Sequence, residues 1–378
     1  MKVLHVVHGL PRGGLETGVV NVVNGLPGEG FRQEVCCLDQ RGVMAERLRP
    51  DVPVHVLHRG RHDLRVPFKL GRLIRQVRPD VVHCRNWNAW LDTLLGCRIA
   101  GFDGQLVWSF HGFADGHHFP RRRRLASRAL AAVTDHLLAV CRDSAERYAH
   151  LTGIDPARFQ VVYNGVDTSR FHPREAVSAL RGELGLPANT VLVTTVGSLT
   201  PVKNHLGLIE AAARHCAQSG VTATFLIVGD GALRETLRAR IEALGLSDRV
   251  LLHGPSDRIP EVLAASDVFV LPSHLEGMSN AILEAMASGL PVVAFRTGGN
   301  PELVDHGHTG LLCEPGDNQA LAAAISQLVE QAELRSALGS QARERASKVF
   351  SIAQMTAGYE AYYRRIAAVP GEMAVDGG

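Results

Sequence analysis

This chain of 378 residues lacks long apolar runs, Cys-x-x-Cys pairs and Asp-x-Asp motifs, and each absence argues against a class of protein. No stretch reaches the roughly 18 consecutive apolar residues that a membrane-spanning helix requires. The seven cysteines form no Cys-x-x-Cys pair, which argues against a disulfide framework and against a zinc site. No Asp-x-Asp motif is present, so the sequence suggests no carboxylate site for a catalytic metal.

Signals for secretion and for nucleic-acid binding are also weak. The apolar run from Val3 to Val7 is too short for the core of a signal peptide. Aromatic residues make up 5% of the chain, and few of them are interleaved with basic residues as binding of single-stranded nucleic acid requires. We therefore expect a cytoplasmic protein, at most peripheral on the inner face of the membrane, with no nucleic-acid partner.

Basic residues are concentrated in the N-terminal part of the chain. Residues 1 to 170 hold 24 basic and 16 acidic side chains, whereas residues 171 to 378 hold 16 basic and 22 acidic ones. This asymmetry favours anionic partners for the N-terminal half. Two basic groups stand out, namely Arg65, Lys69, Arg72, Arg75 and Arg78 on one helical pattern, and the run Arg121 to Arg124. They form either ordinary solvated faces or a contact with an anionic membrane surface.

Short β-branched runs alternate with amphipathic stretches, a pattern typical of βαβ units with parallel sheets. The sequence predicts an α/β fold with two tandem Rossmann-like domains facing a central cleft. The predicted divisions are an N-terminal domain at 1–165, a linker at 166–188, a C-terminal domain at 189–350, a helix at 351–366 packing back on the N-terminal domain, and a disordered tail at 367–378. Ligands of such domains bind beyond the carboxyl ends of the strands.

Two carboxylates and a helix start follow one predicted strand of the C-terminal domain. Ser279 is suited to cap a helix, and Gly277 allows a ligand close to the backbone, so N–H groups and the positive helix end would face an anion. Glu276 lies in the loop, and Glu284 lies about two turns into the helix. From these residues alone, a ligand site and a plain set of solvated acids with a cap are equal alternatives.

Further candidates follow other predicted strands of the C-terminal domain. Lys203 is one of only four lysines and lies near a helix start, which suits either a diphosphate ligand or a plain surface position. Gly229 and Gly231 match half of a dinucleotide-binding fingerprint, but Arg234 replaces its third glycine. A turn near a nucleotide and simple packing are therefore equal alternatives for these glycines.

The N-terminal domain offers two candidates of its own. Gly13 and Gly14 stand between the first strand and the first helix, where a tight turn alone would explain them. His111 ends a predicted strand and points into the expected cleft, although a lone histidine is more often structural.

The spacing Glu276-x7-Glu284 lies inside the longer motif Pro-Ser-x-x-Glu-Gly-Met-x-Asn-x-x-x-Glu-Ala-Met-Ala-x-Gly-x-Pro-Val-Val. This motif resembles the hallmark of family 4 retaining glycosyltransferases, which have the two-domain GT-B fold and transfer a sugar from a nucleotide diphosphate. The resemblance covers nearly the whole chain. The other matching segments are Gly13-Gly14-Leu-Glu16, His111-Gly112, Asn164-Gly-Val-Asp167, Val196-Gly197 to Lys203, Val228-Gly229-Asp-Gly231 and Gly298-Gly299-Asn-Pro301.

The resemblance implies a metal-independent hexosyltransferase without a cofactor, which moves a sugar from a nucleotide-diphosphate donor to a glycan or lipid-linked acceptor. The catalytic residues that it implies are His111 beside the donor sugar, Glu276 at the sugar hydroxyls and Lys203 at the diphosphate. The donor-binding residues that it implies are Gly14 at the distal phosphate, Ser198, Lys203, Gly229, the backbone of Gly277, Met278 and Ser279, and Glu284 at the ribose.

The chain departs from the family pattern at Ser198, where similar enzymes usually have an arginine. The missing guanidinium leaves the diphosphate to Lys203, backbone N–H groups and the helix end, or to another arginine such as Arg12.

The segment at 8–26 resembles the exosortase-associated exopolysaccharide branch, which implies a role in cell-surface or exopolysaccharide synthesis. Three rivals remain, namely a nucleotide-sugar epimerase of the same fold, a dehydrogenase using the imperfect glycine motif, and a non-catalytic membrane-surface scaffold.

Overall fold

The structure is a computed structural model that describes residues 1–60, 63–112, 119–173, 178–187 and 189–368. It divides into two compact units. The first contains the described residues of 1–165 together with 352–368, and the second contains those of 166–351. Of the predicted tail at 367–378, all but its first two residues lie outside the described part. None of the described helices combines the length and the apolar character needed to traverse a bilayer.

Thirteen strands are present among the described residues, and they are labelled in chain order. They are β1 (Lys2–Val7), β2 (Arg32–Cys37), β3 (Val54–Val56), β4 (Val81–Arg85), β5 (Gln105–Phe110), β6 (His136–Ala139), β7 (Phe159–Val161), β8 (Val191–Val196), β9 (Ala223–Val228), β10 (Val250–Gly254), β11 (Val268–Leu271), β12 (Val292–Phe295) and β13 (Gly310–Cys313).

Fourteen α-helices accompany them in the same described ranges. They are α1 (Gly14–Gly25), α2 (Val66–Val77), α3 (Asn86–Ala100), α4 (Arg121–Ala132), α5 (Arg142–Thr152), α6 (Ser178–Glu183), α7 (His205–Gln218), α8 (Arg234–Ala243), α9 (Ile259–Ala265), α10 (Asn280–Ala287), α11 (Asn300–Leu303), α12 (Asn318–Glu330), α13 (Ala332–Val349) and α14 (Ile352–Ala367). Helix α6 lies within the predicted linker at 166–188.

Each unit is built on one parallel sheet. The first sheet has the strand order β3-β2-β1-β4-β5-β6-β7, and the second has the order β10-β9-β8-β11-β12-β13. Because parallel strands need crossover helices, both faces of each sheet are covered and most strand residues are buried. All six residues of β9 are buried, for example. The predicted α/β class with two Rossmann-like domains is thereby confirmed.

In each unit, helices pack against the sheet and bury an apolar core. In the second unit, α7 and α12 pack against each other, and their buried faces share one apolar cluster with β8 and β9. In the first unit, α14 lies beside α1 and buries Met355, Tyr359, Tyr363 and Ile366 among residues of β1 and β4. The chain thus returns to the first unit through its last helix.

Several elements carried too weak a pattern for the sequence analysis to identify. Strand β7 is only three residues long, which is too short for an alternation to be recognised. Helix α4 begins with four arginines, and α13 is mostly polar along its length, so neither shows a continuous apolar stripe.

Candidate active site

The second sheet reverses its winding direction between β8 and β11. The chain runs outward from β8 through β9 to β10, and then from β11 through β12 to β13 on the other side. At such a reversal the two loops that leave the carboxyl ends of the strands diverge and open a crevice, which is the usual binding position in open α/β sheets. The loops concerned are residues 197–204, here called the lysine loop, and residues 272–279, here called the glutamate loop.

Two predicted site residues from these loops form an ion pair. Lys203 Nζ donates to Glu276 Oε1 over 2.6 Å. The two side chains are 22% and 9% exposed, so the pair is largely shielded from solvent. Lys203 immediately precedes Asn204, whose side chain accepts from the Gly207 N–H and caps the 14-residue helix α7. Lys203 therefore lies next to the positive N-terminal end of α7.

Backbone hydrogen bonds join the glutamate loop to its neighbours on both sides. His274 N donates to Val202 O of the lysine loop over 2.8 Å. On the other side, Gly299 N donates to Gly277 O over 2.8 Å. The loop that follows β12, residues 296–299, is called the diglycine loop below. These bonds hold the glutamate loop from both sides, and they position the backbone that carries Glu276.

Gly298 allows the diglycine loop to approach this closely. Its φ is +54°, and a Cβ built there would lie 2.0 Å from the carbonyl oxygen of Glu276. Only a residue without Cβ adopts this left-handed conformation easily and also tolerates that distance. Gly298 belongs to a segment that matches the family pattern, but no local pattern predicts its contact with the glutamate loop.

Gly229 meets the lysine loop in a comparable way. Its φ is +150°, and a Cβ there would lie 1.9 Å from Gly197 O. Leu199 N donates to Asp230 O over 2.9 Å, which extends the contact between the lysine loop and the loop that follows β9. The geometry establishes a packing role for Gly229, and the donor-binding role stays a prediction.

Ser198 is exposed on the lysine loop. Its carbonyl oxygen lies 3.1 Å from Nε2 of His205, the first residue of α7. Burial of His205, followed by the charge of Lys203, lowers the pKa of this histidine, although its bond to the Ser198 carbonyl raises it. His205 is therefore neutral at neutral pH, so Lys203 supplies the positive charge in this part of the loop.

The start of α10 has the geometry that the sequence predicted for its cap. Ser279 is the N-cap, and its Oγ accepts from Ile282 N over 3.3 Å. Met278 and Ser279 are buried, whereas Gly277 and Glu284 are half-buried. The glutamate loop thus brings Glu276 and Gly277 beside a capped helix start, and Glu284 follows within the same helix.

The first sheet reverses between β1 and β4, so its own crevice lies where the loop after β1 and the end of β4 diverge. Gly14 is exposed at the first position of α1, directly after the loop that follows β1. His111 follows β5, the neighbour of β4, and its backbone N–H donates to Asn86 Oδ1 over 3.0 Å. Both residues therefore lie at the carboxyl edge, near this reversal.

Arg85 is a polar feature of this edge that the sequence analysis did not identify. It ends β4 and is 2% exposed, and its Nη1 lies 3.4 Å from His111 Nε2. The signal in the sequence is an arginine at the end of a mostly apolar strand, Val-Val-His-Cys-Arg. Within the described ranges, no group of three or more His, Cys, Asp or Glu side chains is arranged to hold a metal ion.

Comparison with known proteins identifies both halves of the chain. Residues 12–170 match the family described as Glycosyltransferase Family 4, and residues 177–345 match the one described as Glycosyl transferases group 1. The UDP-Gal:alpha-D-GlcNAc-diphosphoundecaprenol alpha-1,3-galactosyltransferase of Escherichia coli is 33% identical over 276 residues, which cover 71% of each chain. The 2-deoxystreptamine N-acetyl-D-glucosaminyltransferase of Streptomyces fradiae is 31% identical over 351 residues, covering 85% of this chain and 83% of the relative.

Solved structures give the same result. The crystal structure of HepE from Anabaena in complex with UDP aligns with a TM-score of 0.85 and 26% identity, over 97% of this chain and 100% of HepE. HepE has also been crystallised with UDP and glucose at the same TM-score. These matches confirm both the predicted family and the predicted GT-B fold. The chain belongs to glycosyltransferase family 4, and it is a glycosyltransferase.

Proposed function

We propose that this chain is a retaining, metal-independent hexosyltransferase that transfers a sugar from a UDP-sugar donor to a glycan or lipid-linked acceptor. The observation that carries the proposal is the Lys203–Glu276 ion pair at the reversal of the second sheet. It combines a cation for a diphosphate with a carboxylate that accepts hydrogen bonds from sugar hydroxyls.

The choice of UDP-sugar as donor is supported by the relatives. HepE was crystallised with UDP, and the name of the Escherichia coli relative specifies UDP-Gal as its donor. In this chain, Lys203 and the N-terminus of α7 would face the diphosphate, and Ser198 and Gly229 would line its loop. Glu284 would accept from the ribose hydroxyls, and the backbone of Gly277, Met278 and Ser279 would contact the sugar.

The proposed reaction keeps the configuration of the anomeric carbon. The bond from that carbon to the leaving phosphate oxygen breaks, and the acceptor oxygen bonds to the same face. The acceptor hydroxyl proton passes to the leaving phosphate oxygen, so no carboxylate needs to form a covalent intermediate. Lys203 would stabilise the charge that develops on the diphosphate, and Glu276 would hold the sugar in position.

The first unit is proposed to contribute two residues and the contacts with the acceptor. Gly14 would bring a backbone N–H to the distal phosphate, and His111 would lie beside the donor sugar. The Escherichia coli relative is named for a diphosphoundecaprenol acceptor, which supports a lipid-linked acceptor and a role in cell-surface or exopolysaccharide synthesis. No cofactor takes part in the proposed reaction.

The purified protein tests this proposal directly. We expect UDP release from one sugar of a UDP-sugar panel only when a glycan or lipid-linked acceptor is present. The product should keep the anomeric configuration of the donor, as observed by NMR, and the rate should persist in excess EDTA. Inversion of the donor sugar without acceptor would instead identify an epimerase, and loss of activity in EDTA that magnesium restores would refute metal independence.

A membrane surface is the proposed location of a lipid-linked acceptor. Helix α2 exposes Phe68 to 65%, and Leu64 just before the helix is 86% exposed. Arg65 and Arg72, on or beside this helix, are also exposed. Exposed apolar side chains beside arginines suit the interface of an anionic bilayer.

Other members of the predicted basic groups have local partners. Lys69 Nζ lies 2.8 Å from Asp63 Oδ2, Arg75 Nη2 donates to Ile99 O, and the Arg123 guanidinium lies 5.1 Å from the ring centroid of Trp87. Their side chains therefore have structural roles in addition to any contact with lipid.

Vesicle binding tests whether the basic surface contacts an anionic membrane or is an ordinary solvated face. We expect the protein to co-sediment with vesicles that contain phosphatidylglycerol, and to do so less in high salt because exposed charges are screened. The double variant Leu64→Ser and Phe68→Ser should lose most of this binding, whereas Val349→Ser, at a residue 44% exposed in the second unit, should retain it. Equal binding of all three proteins would show that α2 is an ordinary solvated helix.

A further inference from the structure

The first unit buries a guanidinium that has no carboxylate partner among the described residues. Arg85 is 2% exposed at the end of β4, beside the reversal of the first sheet. Buried charged side chains are normally paired with an opposite charge, because an isolated charge is costly to remove from water. In place of an ion pair, Arg85 forms hydrogen bonds with uncharged side chains.

Three neutral groups accept these hydrogen bonds. Arg85 Nη1 donates to the Tyr359 hydroxyl over 3.2 Å and to His111 Nε2 over 3.4 Å, and Nη2 donates to His5 Nδ1 over 3.2 Å. The guanidinium also lies 5.5 Å from the centre of the Tyr359 ring, close enough for a cation–π interaction. Tyr359 belongs to α14, so the last helix of the chain holds this arginine from one side.

A guanidinium has N–H donors and no acceptor, so each ring nitrogen that faces it must carry a lone pair. His111 Nε2 is therefore the acceptor, and the proton of this neutral ring lies on Nδ1. His5 has the opposite arrangement, because its Nδ1 accepts from Arg85 and its Nε2 donates to Gln33 Oε1 over 2.6 Å. The hydroxyl of Ser109 lies 2.9 Å from His111 Nε2 but can donate or accept, so it adapts to either tautomer.

We propose that Arg85 is a positioning residue that fixes His111 as the tautomer with its proton on Nδ1, and that Tyr359 holds Arg85 in place for this purpose. The inference rests on the proposed function of His111 beside the donor sugar. A fixed Nδ1–H gives the sugar one oriented neutral donor, whereas a ring that exchanges tautomers would present an acceptor part of the time.

The charges around His111 favour the neutral ring. Burial lowers its pKa well below the ordinary value, and the Arg85 charge lowers it further. The described titratable groups that act on it are Arg85 and His83 from β4, and Tyr359 from α14 contacts Arg85. None of them is an acid that would stabilise an imidazolium at neutral pH. Burial and the Arg85 charge therefore both favour the neutral ring over the imidazolium.

Long-range proton–nitrogen NMR of protein labelled with ring-¹⁵N histidine tests the tautomer without any substrate. The His111 signals are assigned by their loss in His111→Gln. We expect Nδ1 to be the protonated nitrogen in the native protein. In Arg85→Met, we expect a mixture of tautomers and a titration midpoint that moves upward, toward the ordinary value of about 6.5. An Nε2–H tautomer in the native protein would overturn the proposal, as would a tautomer and midpoint that Arg85→Met leaves unchanged.

Two tyrosines on α14 provide a matched pair in case Arg85→Met does not fold. Tyr359→Phe removes the hydroxyl that contacts Arg85, whereas Tyr363→Phe removes one that bonds His83 Nδ1 over 2.6 Å. Both tyrosines are buried, so the two losses should cost similar stability. We expect Tyr359→Phe alone to give mixed His111 tautomers and to lower kcat about 5-fold, a change of the size that one hydrogen bond contributes, with KM for the donor unchanged.

Identical behaviour of the two variants would show that α14 has only a structural role here. The NMR result also separates this inference from the proposed function. A protein that transfers no sugar but shows the Nδ1–H tautomer, lost in Arg85→Met, would refute the proposed function and leave the role of Arg85 on the ring intact. A protein that transfers sugar, but whose His111 tautomer is the same in Arg85→Met, would refute the role of Arg85 and leave the proposed function intact.

Discussion

Lys203→Ala is expected to lower kcat by about 100-fold or more, which is the usual cost of removing one preorganised group that stabilises developing charge. The side chain provides the ammonium next to the N-terminus of α7, and its partner Glu276 is 9% exposed. Without the lysine, the carboxylate of Glu276 remains as an unneutralised negative charge where a diphosphate is proposed to bind. UDP affinity should therefore fall together with turnover, as measured by calorimetry and by steady-state kinetics.

The matched control is Lys348→Ala. Lys348 also pairs with a glutamate in the second unit, but this pair with Glu344 is exposed at 72% and 60%. Exposed pairs contribute about 0–1 kcal/mol, so this variant should keep native kinetics and stability. Native kinetics in Lys203→Ala would show that this lysine is not part of the site. The Lys203–Glu276 ion pair would then no longer support the proposed function.

A second variant separates catalysis from folding. The lost ion pair should destabilise Lys203→Ala because it leaves a shielded carboxylate without its partner. Adding Glu276→Gln removes that charge, so the double variant should recover part of the lost thermal stability. Its activity should remain low, because both proposed ligand contacts are gone. Recovery of activity together with stability would show that the lysine acts on folding alone.

Local patterns were sufficient to locate the elements that carry the site. The β-branched run Val191–Val196 predicts a strand, and the amphipathic patterns His205–Gln218 and Asn280–Ala287 predict helices. The structure has β8, α7 and α10 with these same bounds. These elements are well marked because β8 is a buried β-branched run that a glycine follows, and because Asn204 and Ser279 cap the two helices. A residue that ends a strand or begins a helix is therefore predictable from its neighbours.

Contacts between distant segments could not be predicted in the same way. Lys203 and Glu276 are 73 residues apart, and each was assigned to a ligand rather than to the other. Arg85 and Tyr359 are 274 residues apart, and their contact depends on the return of α14 to the first unit. Such pairs depend on strand order and on helix packing, which a single sequence does not encode as a local pattern. Each contact is visible only in the folded unit that contains it.

Gly298→Ala is the second substitution with a large expected effect, and it acts on Glu276 through the backbone. The native φ of +54° is unfavourable for alanine by about 1–2 kcal/mol. The added Cβ would also lie 2.0 Å from Glu276 O, so the diglycine loop or the glutamate loop must move by about 1 Å or more to remove the overlap. A displacement of that size at a positioned group typically costs about 100-fold in rate, and we expect this loss in kcat/KM.

Gly307→Ala isolates the contribution of the backbone conformation. Gly307 has a φ of +81° in the same unit, and a Cβ there meets no heavy atom within 4 Å. Both variants should therefore lose thermal stability from left-handed strain, and Gly298→Ala should lose more because of the added overlap, while only Gly298→Ala loses activity. If both lost activity equally, strain within the second unit would explain the effect and the contact with Glu276 would not. If Gly298→Ala kept native kinetics, the glutamate loop would tolerate displacement, and the diglycine loop would not position Glu276.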